Sequence, residues 1–114
     1  MEKIKVAVIG TGNMGKNHIR IYSEMNNVEL IGVVDLNKEV GKDIANNFNT
    51  NFFKNYKKVI GKVDAVSIVV PTKFHYSIAK EFLNSRVDVL IEKPITINLN
   101  EADEIIDLAE IKIN

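Results

Sequence analysis

The residues Gly10-Thr11-Gly12-Asn13-Met14-Gly15 decide the fold of this chain. An apolar run over residues 6–9 precedes them, and a segment with helical spacing follows. A strand, a turn with G-x-G-x-x-G spacing and a helix form the arrangement that holds the pyrophosphate of a dinucleotide at a helix N-terminus. Because glycines also occur in ordinary turns, the hexapeptide alone is a weak signal, and the rest of the chain must support it.

Each glycine of this turn has its own expected task. Gly10 allows the tight turn out of the strand, Gly12 lets the backbone approach the pyrophosphate, and Gly15 lets the helix pack closely on the strand. The intervening residues form the turn and the first helical positions, whose N–H groups point at the phosphates. We therefore assign the whole turn to cofactor binding: Gly10, Thr11, Gly12, Asn13, Met14 and Gly15.

The composition predicts one globular domain over residues 1–114. Hydrophobic residues make up 46% of the chain and charged residues 26%, and the formal net charge is zero, so no basic surplus favours nucleic acid or an anionic membrane. The absence of cysteine excludes disulfides and thiolate metal sites, and no other side chains have metal-ligand spacing. No apolar run approaches the roughly 18 residues that span a bilayer. We expect no metal, no membrane partner and a cytoplasmic location.

Strands and helices alternate along the chain, which predicts a doubly wound parallel α/β sheet, a Rossmann fold, with strand order 3-2-1-4-5. The predicted strands cover 3–9, 28–34, 51–53, 65–70 and 87–91. The predicted helices cover 13–25, 38–47 and 74–84, with a short helix or turn at 55–60 and a last helix that begins at a capping box of Asn98 and Glu101.

Helical spacing also predicts which side chains face the sheet. In the first helix the predicted inward stripe is Met14, His18, Ile21, Tyr22 and Met25. In the second helix it is Val40, Ile44, Ala45 and Phe48, with Gly41 weakening the helix between them.

Asp35 is the predicted ribose ligand. It closes the second strand about 20 residues after Gly15, where a carboxylate accepts hydrogen bonds from the adenosine ribose hydroxyls. The same charge repels a 2′-phosphate, so NAD is favoured over NADP. Lys38 lies close enough in sequence to soften this preference, and NADP stays open as the second cofactor. The alternative interpretation is that Asp35 only caps the following loop or helix.

The end of the fourth strand supplies the next candidates. Ligands of open α/β sheets sit at the carboxyl ends of the strands, so Pro71 and Thr72 should border the cofactor, and His75 is a candidate contact. The alternatives are ordinary ones. Pro71 terminates a strand, Thr72 caps a helix, and a lone histidine in a first helical turn is more often a surface or capping residue.

Glu92-Lys93-Pro94 ends the fifth strand at the same edge. Lys93 can reach a nicotinamide ring or a substrate hydroxyl and assist proton transfer, so it is the predicted catalytic residue, and Glu92 is assigned to cofactor binding. Pro94 restricts the backbone of Lys93 to an extended conformation. Taken alone, Lys93 is an ordinary solvated lysine.

Together these residues resemble the N-terminal half of the Gfo/Idh/MocA oxidoreductases. The features that carry the resemblance are the glycine turn, His18, Asp35, Pro71-Thr72 with Phe74-His75, and Glu92-Lys93-Pro94. The glycine turn is generic, whereas the glutamate-lysine-proline motif after a fifth strand is much more specific.

The resemblance implies NAD or NADP as cofactor and a sugar, cyclitol or related compound as substrate. It places Gly10, Gly12 and Gly15 at the pyrophosphate, Asp35 at the ribose and Lys93 near the nicotinamide. Some relatives of an archaeal type act on UDP-linked amino sugars, and this sequence is similar to them in style.

Members of this family are considerably longer and add a C-terminal α/β domain that supplies most substrate contacts. This chain stops where the family's sixth strand should begin. We therefore expect a cofactor-binding half that holds a dinucleotide but is not catalytically competent without that domain. Its fifth strand, 87–91, should lie at or near a sheet edge and promote self-association. The alternatives are a stand-alone nucleotide-binding or redox-sensing module, and a turn that binds S-adenosylmethionine or FAD.

Overall fold

A computed structural model describes residues 3–91, 100–101 and 103–106. Within them, five parallel strands form one sheet in the order β3-β2-β1-β4-β5, which confirms the predicted doubly wound topology. The strands are β1 Ile4–Ile9, β2 Val28–Val34, β3 Asn51–Phe53, β4 Ala65–Ile68 and β5 Asp88–Ile91. The helices are α1 Asn13–Glu24, α2 Lys38–Asn47 and α3 His75–Asn84, with 3₁₀ segments at Tyr56–Val59 and Thr72–Phe74. None of the helices in these residues is long and apolar enough to cross a membrane.

The carboxyl ends of the strands are aligned across the sheet. Ile9 of β1 pairs with Val34 of β2 on one side and with Ile68 of β4 on the other. Val34 in turn pairs with Phe53, and Ile68 with Ile91. Because the strands are parallel and end in register, the residues that follow them lie along one edge of the sheet, where such folds bind ligands.

The core lies on both faces of the sheet. Along β1, Ala7 and Ile9 pack into the cluster beneath α3, whereas Val8 packs into the cluster beneath α1 and α2. Successive side chains of a strand point to opposite faces, so a strand that is covered on both sides needs an unbroken apolar run. This explains the continuous apolar sequence of β1 that precedes the glycine turn.

The predicted inward stripe of α1 is wrong for three of its five residues. Met14 and Ile21 are each 48% exposed, and Met25 is exposed as well, while Gly15 and Ile19 are buried. The close contact of Gly15 with the β1 turn sets the rotation of the helix about its axis. That rotation places Ile19, one turn further along, against the sheet.

Tyr22 does face the sheet as predicted. Its hydroxyl lies 2.6 Å from the Oγ of Ser67, a fully buried residue of β4, and its ring meets the ring of His18 edge-on. The pair satisfies two polar groups between α1 and the sheet, where an unpaired hydroxyl would be costly.

Gly41 of α2 has a packing role. A Cβ on Gly41 would lie 2.2 Å from the ring of Phe52 in β3, so the helix approaches the sheet as closely as it does because residue 41 is glycine. Ile44 and Ala45 are buried, as predicted, but Val40 is exposed, contrary to the prediction. The helix is rotated so that the glycine, and not the valine, faces the strand.

The remaining predicted boundaries differ from the structure by a few residues. β4 ends at Ile68 and not at residue 70, and a 3₁₀ segment precedes α3, which begins at His75 and not at residue 74. Residues 100–101 and 103–106 include helical turns, and Ile105 is buried in the cluster beneath α3. Asn98, the predicted helix cap, lies outside the described residues.

Candidate functional site

The glycine turn leaves β1 in a conformation that requires glycine. Gly10 has a φ of 108°, and a Cβ on it would lie 2.4 Å from the carbonyl oxygen of Val69. Its N–H donates to the carbonyl of Val34 at 2.8 Å, which holds the turn against the end of β2. The predicted tight turn at Gly10 is therefore present.

The other two glycines face different surroundings. A Cβ on Gly15 would lie 2.1 Å from the carbonyl oxygen of Gly10, whereas a Cβ on Gly12 would meet no atom within 4 Å. Gly12 is the N-cap of α1 and supplies no capping side chain. The first N–H groups of a helix have no intrahelical partner, and the open space beside Gly12 leaves room for an anionic group at this helix N-terminus. Asn13 and Met14 lie in this first turn and are exposed.

Asp35 is held in place by three hydrogen bonds from the protein. Its Oδ2 accepts from the hydroxyl of Thr11 and, at 3.2 Å, from the backbone N–H of Thr11. Its Oδ1 accepts from the backbone N–H of Asn37 at 2.8 Å. A carboxylate offers about four lone-pair positions, so acceptor capacity remains on Oδ1 for a ligand hydroxyl.

The turn and Asp35 open onto one cavity of about 750 Å³ at the strand-end edge. Five of the predicted residues line it and are thereby brought together: Gly10, Thr11, Gly12, Asp35 and Pro71. Its apolar wall consists of Ile9, Val34, Val69, Val70, Phe74 and Ile78. An apolar wall with a few converging polar groups suits a flat aromatic base attached to a sugar.

Two predicted residues at the end of β4 have different surroundings from those expected. His75 is 3% exposed, and its Nε2 lies 2.9 Å from the carbonyl oxygen of Val70, so the surface interpretation is wrong. Thr72 begins a 3₁₀ segment, and the N-cap of α3 is Phe74, so Thr72 does not cap that helix. Neither residue lines the cavity, and a direct cofactor contact for either stays a prediction.

Several residues that the sequence patterns did not assign to the site also border the cavity, among them one leucine and two lysines. Leu36 is 82% exposed directly after Asp35, and Lys54 and Lys57 lie beyond the end of β3. The sequence could have indicated Leu36, because it is a bulky apolar residue directly after the predicted ribose carboxylate. The lysines could be placed only through the register of β2 with β3, which brings the residue after Phe53 beside Asp35.

Tyr56 connects the cavity wall to α3. Its hydroxyl donates to Glu81 Oε1 at 2.7 Å, and its ring packs on Phe82 at a centroid distance of 5.8 Å. Partial burial, and then the hydrogen bond to Glu81 and its charge, raise the pKa of Tyr56 to about 12. The phenol therefore stays protonated and acts as a donor over the ordinary pH range.

Glu92, Lys93 and Pro94 lie outside the described residues, and their assignments remain predictions. β5 ends at Ile91, in register with the end of β4. Among residues 3–91, 100–101 and 103–106 there is no group of three or more side chains that could hold a metal ion.

These residues fit a dinucleotide. The helix N-terminus behind Gly12, which has no capping side chain, suits the pyrophosphate. The fixed carboxylate of Asp35 suits the ribose, and the apolar wall of the cavity suits the adenine. The fold and the site thus define an NAD-binding Rossmann domain. Residues 4–113 match the family described as "Oxidoreductase family, NAD-binding Rossmann fold", and the chain belongs to this family, Gfo/Idh/MocA.

Relatives with assigned activities span sugars, a cyclitol and a nucleotide sugar. The chain is 36% identical over 110 residues to the UDP-N-acetylglucosamine 3-dehydrogenase of Acidithiobacillus ferrooxidans, covering 96% of this chain and 34% of that enzyme. It is 31% identical over 106 residues to the glucose-6-phosphate 3-dehydrogenase of Bacillus subtilis, covering 93% and 30%. The chain thus spans about a third of the length of these relatives.

Two solved structures show the same fold. The structure of the Acidithiobacillus ferrooxidans enzyme, GnnA, superposes with a TM-score of 0.91 at 34% identity, covering 99% of this chain and 37% of that one. The structure of GenD2 from gentamicin A biosynthesis, in complex with NAD, superposes with a TM-score of 0.93 at 28% identity, covering 98% and 33%.

Proposed function

We propose that this chain is the cofactor-binding part of a dehydrogenase. The enzyme would transfer hydride between a nicotinamide cofactor and the hydroxyl-bearing carbon of a sugar, cyclitol or nucleotide sugar. The observation that carries the proposal is the convergence of Gly12 and Asp35 on one cavity, with the carboxylate oriented by backbone and side-chain donors. The activities of the related enzymes support the substrate class.

In this proposal each described residue has a binding task. The N–H groups behind Gly12 bind the pyrophosphate, Asp35 binds the adenosine ribose, and Pro71 and Leu36 border the adenine. When bound, the cofactor supplies a nicotinamide ring that exchanges hydride with the substrate carbon. Because Asp35 carries its negative charge at the ribose, NAD is favoured over NADP, while Lys54 at the cavity wall keeps NADP as the second candidate.

Lys93 is the proposed catalytic residue. Its ammonium group would donate a proton to the substrate oxygen in reduction and, as the neutral amine, accept it in oxidation. Glu92 would contact the cofactor, and Pro94 would restrict the backbone that aims Lys93. Substrate contacts would come from a C-terminal domain of the kind that the resemblance implies, so this chain by itself should bind cofactor without turnover. The proposed location, the cytoplasm, is a prediction from composition alone.

Isothermal titration calorimetry with NADH and NADPH tests the proposal. We expect the chain to bind NADH more tightly than NADPH. Asp35→Ala should weaken NADH binding roughly 10- to 100-fold, the effect of losing a hydrogen bond to a charged group. Asp43→Ala, an exposed carboxylate on α2, is the matched control and should bind like wild type. Failure to bind either dinucleotide would overturn the main proposal, whereas tighter NADPH binding would overturn only the argument from Asp35.

Titrations with S-adenosylmethionine and FAD separate the remaining ligand alternatives. Either ligand binding more tightly than NADH would favour a different nucleotide site. A stand-alone redox-sensing module would bind NADH without dehydrogenase activity even when supplied with the rest of a family enzyme. Restored activity on adding that domain would instead support the dehydrogenase.

We also propose that the chain self-associates through β5. Among the described residues, β5 pairs only with β4, and Leu90 on it is 53% exposed. A strand edge with an exposed apolar side chain is a template for pairing with another chain. Light scattering should report oligomers that Leu90→Lys reduces, while Ile21→Lys on α1 leaves them unchanged. A monomeric wild-type chain would contradict this proposal.

A further inference from the structure

Thr11 occupies a position that the glycine motif leaves unspecified, yet its side chain is among the most buried polar groups of the chain. Only 1% of Thr11 is exposed. Its hydroxyl donates to Oδ2 of Asp35, and its backbone N–H donates to the same oxygen at 3.2 Å. Two donors from one residue of the turn therefore converge on one carboxylate oxygen of the ribose site.

The opposite oxygen of Asp35 is held from the other side. The backbone N–H of Asn37 donates to Oδ1 at 2.8 Å. With Oδ2 fixed by Thr11 and Oδ1 fixed by Asn37, neither rotation about Cα–Cβ nor rotation of the carboxylate plane is free. The remaining acceptor capacity of Oδ1 is then presented in one direction, toward the cavity that Asp35 lines.

We propose that Thr11 is a positioning residue that determines the preference for NAD over NADP. Its hydroxyl holds the Asp35 carboxylate where it accepts from the ribose hydroxyls and where its charge opposes a 2′-phosphate. This inference rests on the proposed function and deepens it, because it names a residue that acts on the cofactor through Asp35.

The physical argument concerns pre-organisation. A free aspartate on a surface loop loses rotational freedom when it binds a sugar, and it can also turn away from an approaching phosphate. A carboxylate that is already fixed by charge-assisted hydrogen bonds loses little further rotational freedom when it binds the sugar. It also cannot turn away from an approaching phosphate. Because Thr11 is also part of the turn that binds the pyrophosphate, the ribose carboxylate and the phosphate site keep a constant separation.

Thr11→Val tests the inference, because valine has the shape of threonine without the donor. We expect NADH binding to weaken about tenfold and NADPH binding to change much less, so that the ratio of the two dissociation constants narrows about tenfold. Thr11→Ser keeps a hydroxyl and should stay within about threefold of the wild-type ratio. Thermal unfolding of each variant reports any loss of structure independently.

A purely structural role for Thr11 predicts a different pattern. Loss of packing would lower the melting temperature and weaken both dinucleotides by the same factor, leaving the ratio unchanged, and that result would overturn the inference. In an Asp35→Ala background, Thr11→Val should no longer change the ratio, and an undiminished change there would also overturn it. If Thr11→Val does not fold, Thr11→Ala provides the same comparison.

The outcomes separate this inference from the proposed function. A wild-type chain that binds neither dinucleotide overturns both. A wild-type chain that prefers NADH, with an unchanged ratio in Thr11→Val, overturns only the role of Thr11.

Discussion

Gly15 lies so close to Gly10 that a Cβ on Gly15 would stand 2.1 Å from the Gly10 carbonyl oxygen. The contact joins the start of α1 to the end of β1 and leaves no room for a side chain. Gly12, between them in sequence, has open space at the same position. Two glycines of one turn therefore serve different purposes: Gly15 serves the packing of the fold, and Gly12 serves access for a ligand.

Gly15→Ala should destabilise the domain by roughly 1–3 kcal/mol, because the added methyl group forces backbone apart in a packed contact. Urea denaturation measures this change as a decrease in the free energy of unfolding. An unchanged free energy of unfolding would show that α1 can shift away from the turn at no cost.

Gly12→Ala should instead leave the fold intact and weaken the binding of the cofactor. Its backbone has φ −69° and ψ −167°, which alanine adopts readily, so stability should stay within about 0.5 kcal/mol of wild type. NADH binding should weaken at least about tenfold, because the methyl group occupies the space in front of the helix N-terminus. Retained NADH affinity would place the pyrophosphate elsewhere.

Gly41→Ala should destabilise the domain despite the better helix propensity of alanine. The exchange gains about 1 kcal/mol in an unconstrained helix, but here the new Cβ meets the ring of Phe52. In a Phe52→Ala background the clash is removed, and Gly41→Ala should become neutral or stabilising. Chemical denaturation of wild type, the two single variants and the double variant measures the coupling energy between the two positions. Equal effects in both backgrounds would contradict the role given to the ring.

Tyr22→Phe should cost about 1–3 kcal/mol of stability, because it leaves the buried Ser67 hydroxyl without its hydrogen-bond partner. Adding Ser67→Ala should recover part of that loss, since no unsatisfied hydroxyl then remains. The free energies of unfolding of the two single variants and the double variant test this pairing. Strictly additive losses would show that Ser67 finds another partner.

Tyr56 should make stability fall at alkaline pH. Its pKa is raised to about 12 in the folded chain from an ordinary value near 10. Between these two values the unfolded chain has released the phenolic proton and the folded chain still binds it. The contribution is therefore complete below about pH 10 and is lost as the pH rises toward 12. Tyr56→Phe should remove this part of the decline in urea denaturation across that range. If the free energies of unfolding of wild type and Tyr56→Phe fell in parallel across this pH range, that result would contradict the raised pKa of Tyr56.

The strand order was predicted correctly from the sequence, and Asp35 directly follows the end of β2 as predicted, while its contact with the ribose remains a proposal. The signals were local: unbroken apolar runs, glycine spacing and the residue that closes a strand. The prediction of α1's buried face failed because Met14, Ile21 and Met25 satisfy helical periodicity equally well. The choice between faces depended on the contact of Gly15 with Gly10, which periodicity does not report. The surface alternative for His75 was wrong for a similar reason, since its burial depends on the path of the chain from Val70 into α3.

The linear pattern of residues was enough to specify a doubly wound sheet with a glycine turn and a strand-closing carboxylate, because strands and turns depend mainly on near neighbours. The hydrogen bonds that fix that carboxylate depended on tertiary structure. Thr11 and Asp35 are 24 residues apart, and only the parallel register of β1 with β2 brings the hydroxyl of one to the oxygen of the other. Hydrogen bonds between residues so distant in sequence form only when the sheet aligns the ends of its strands.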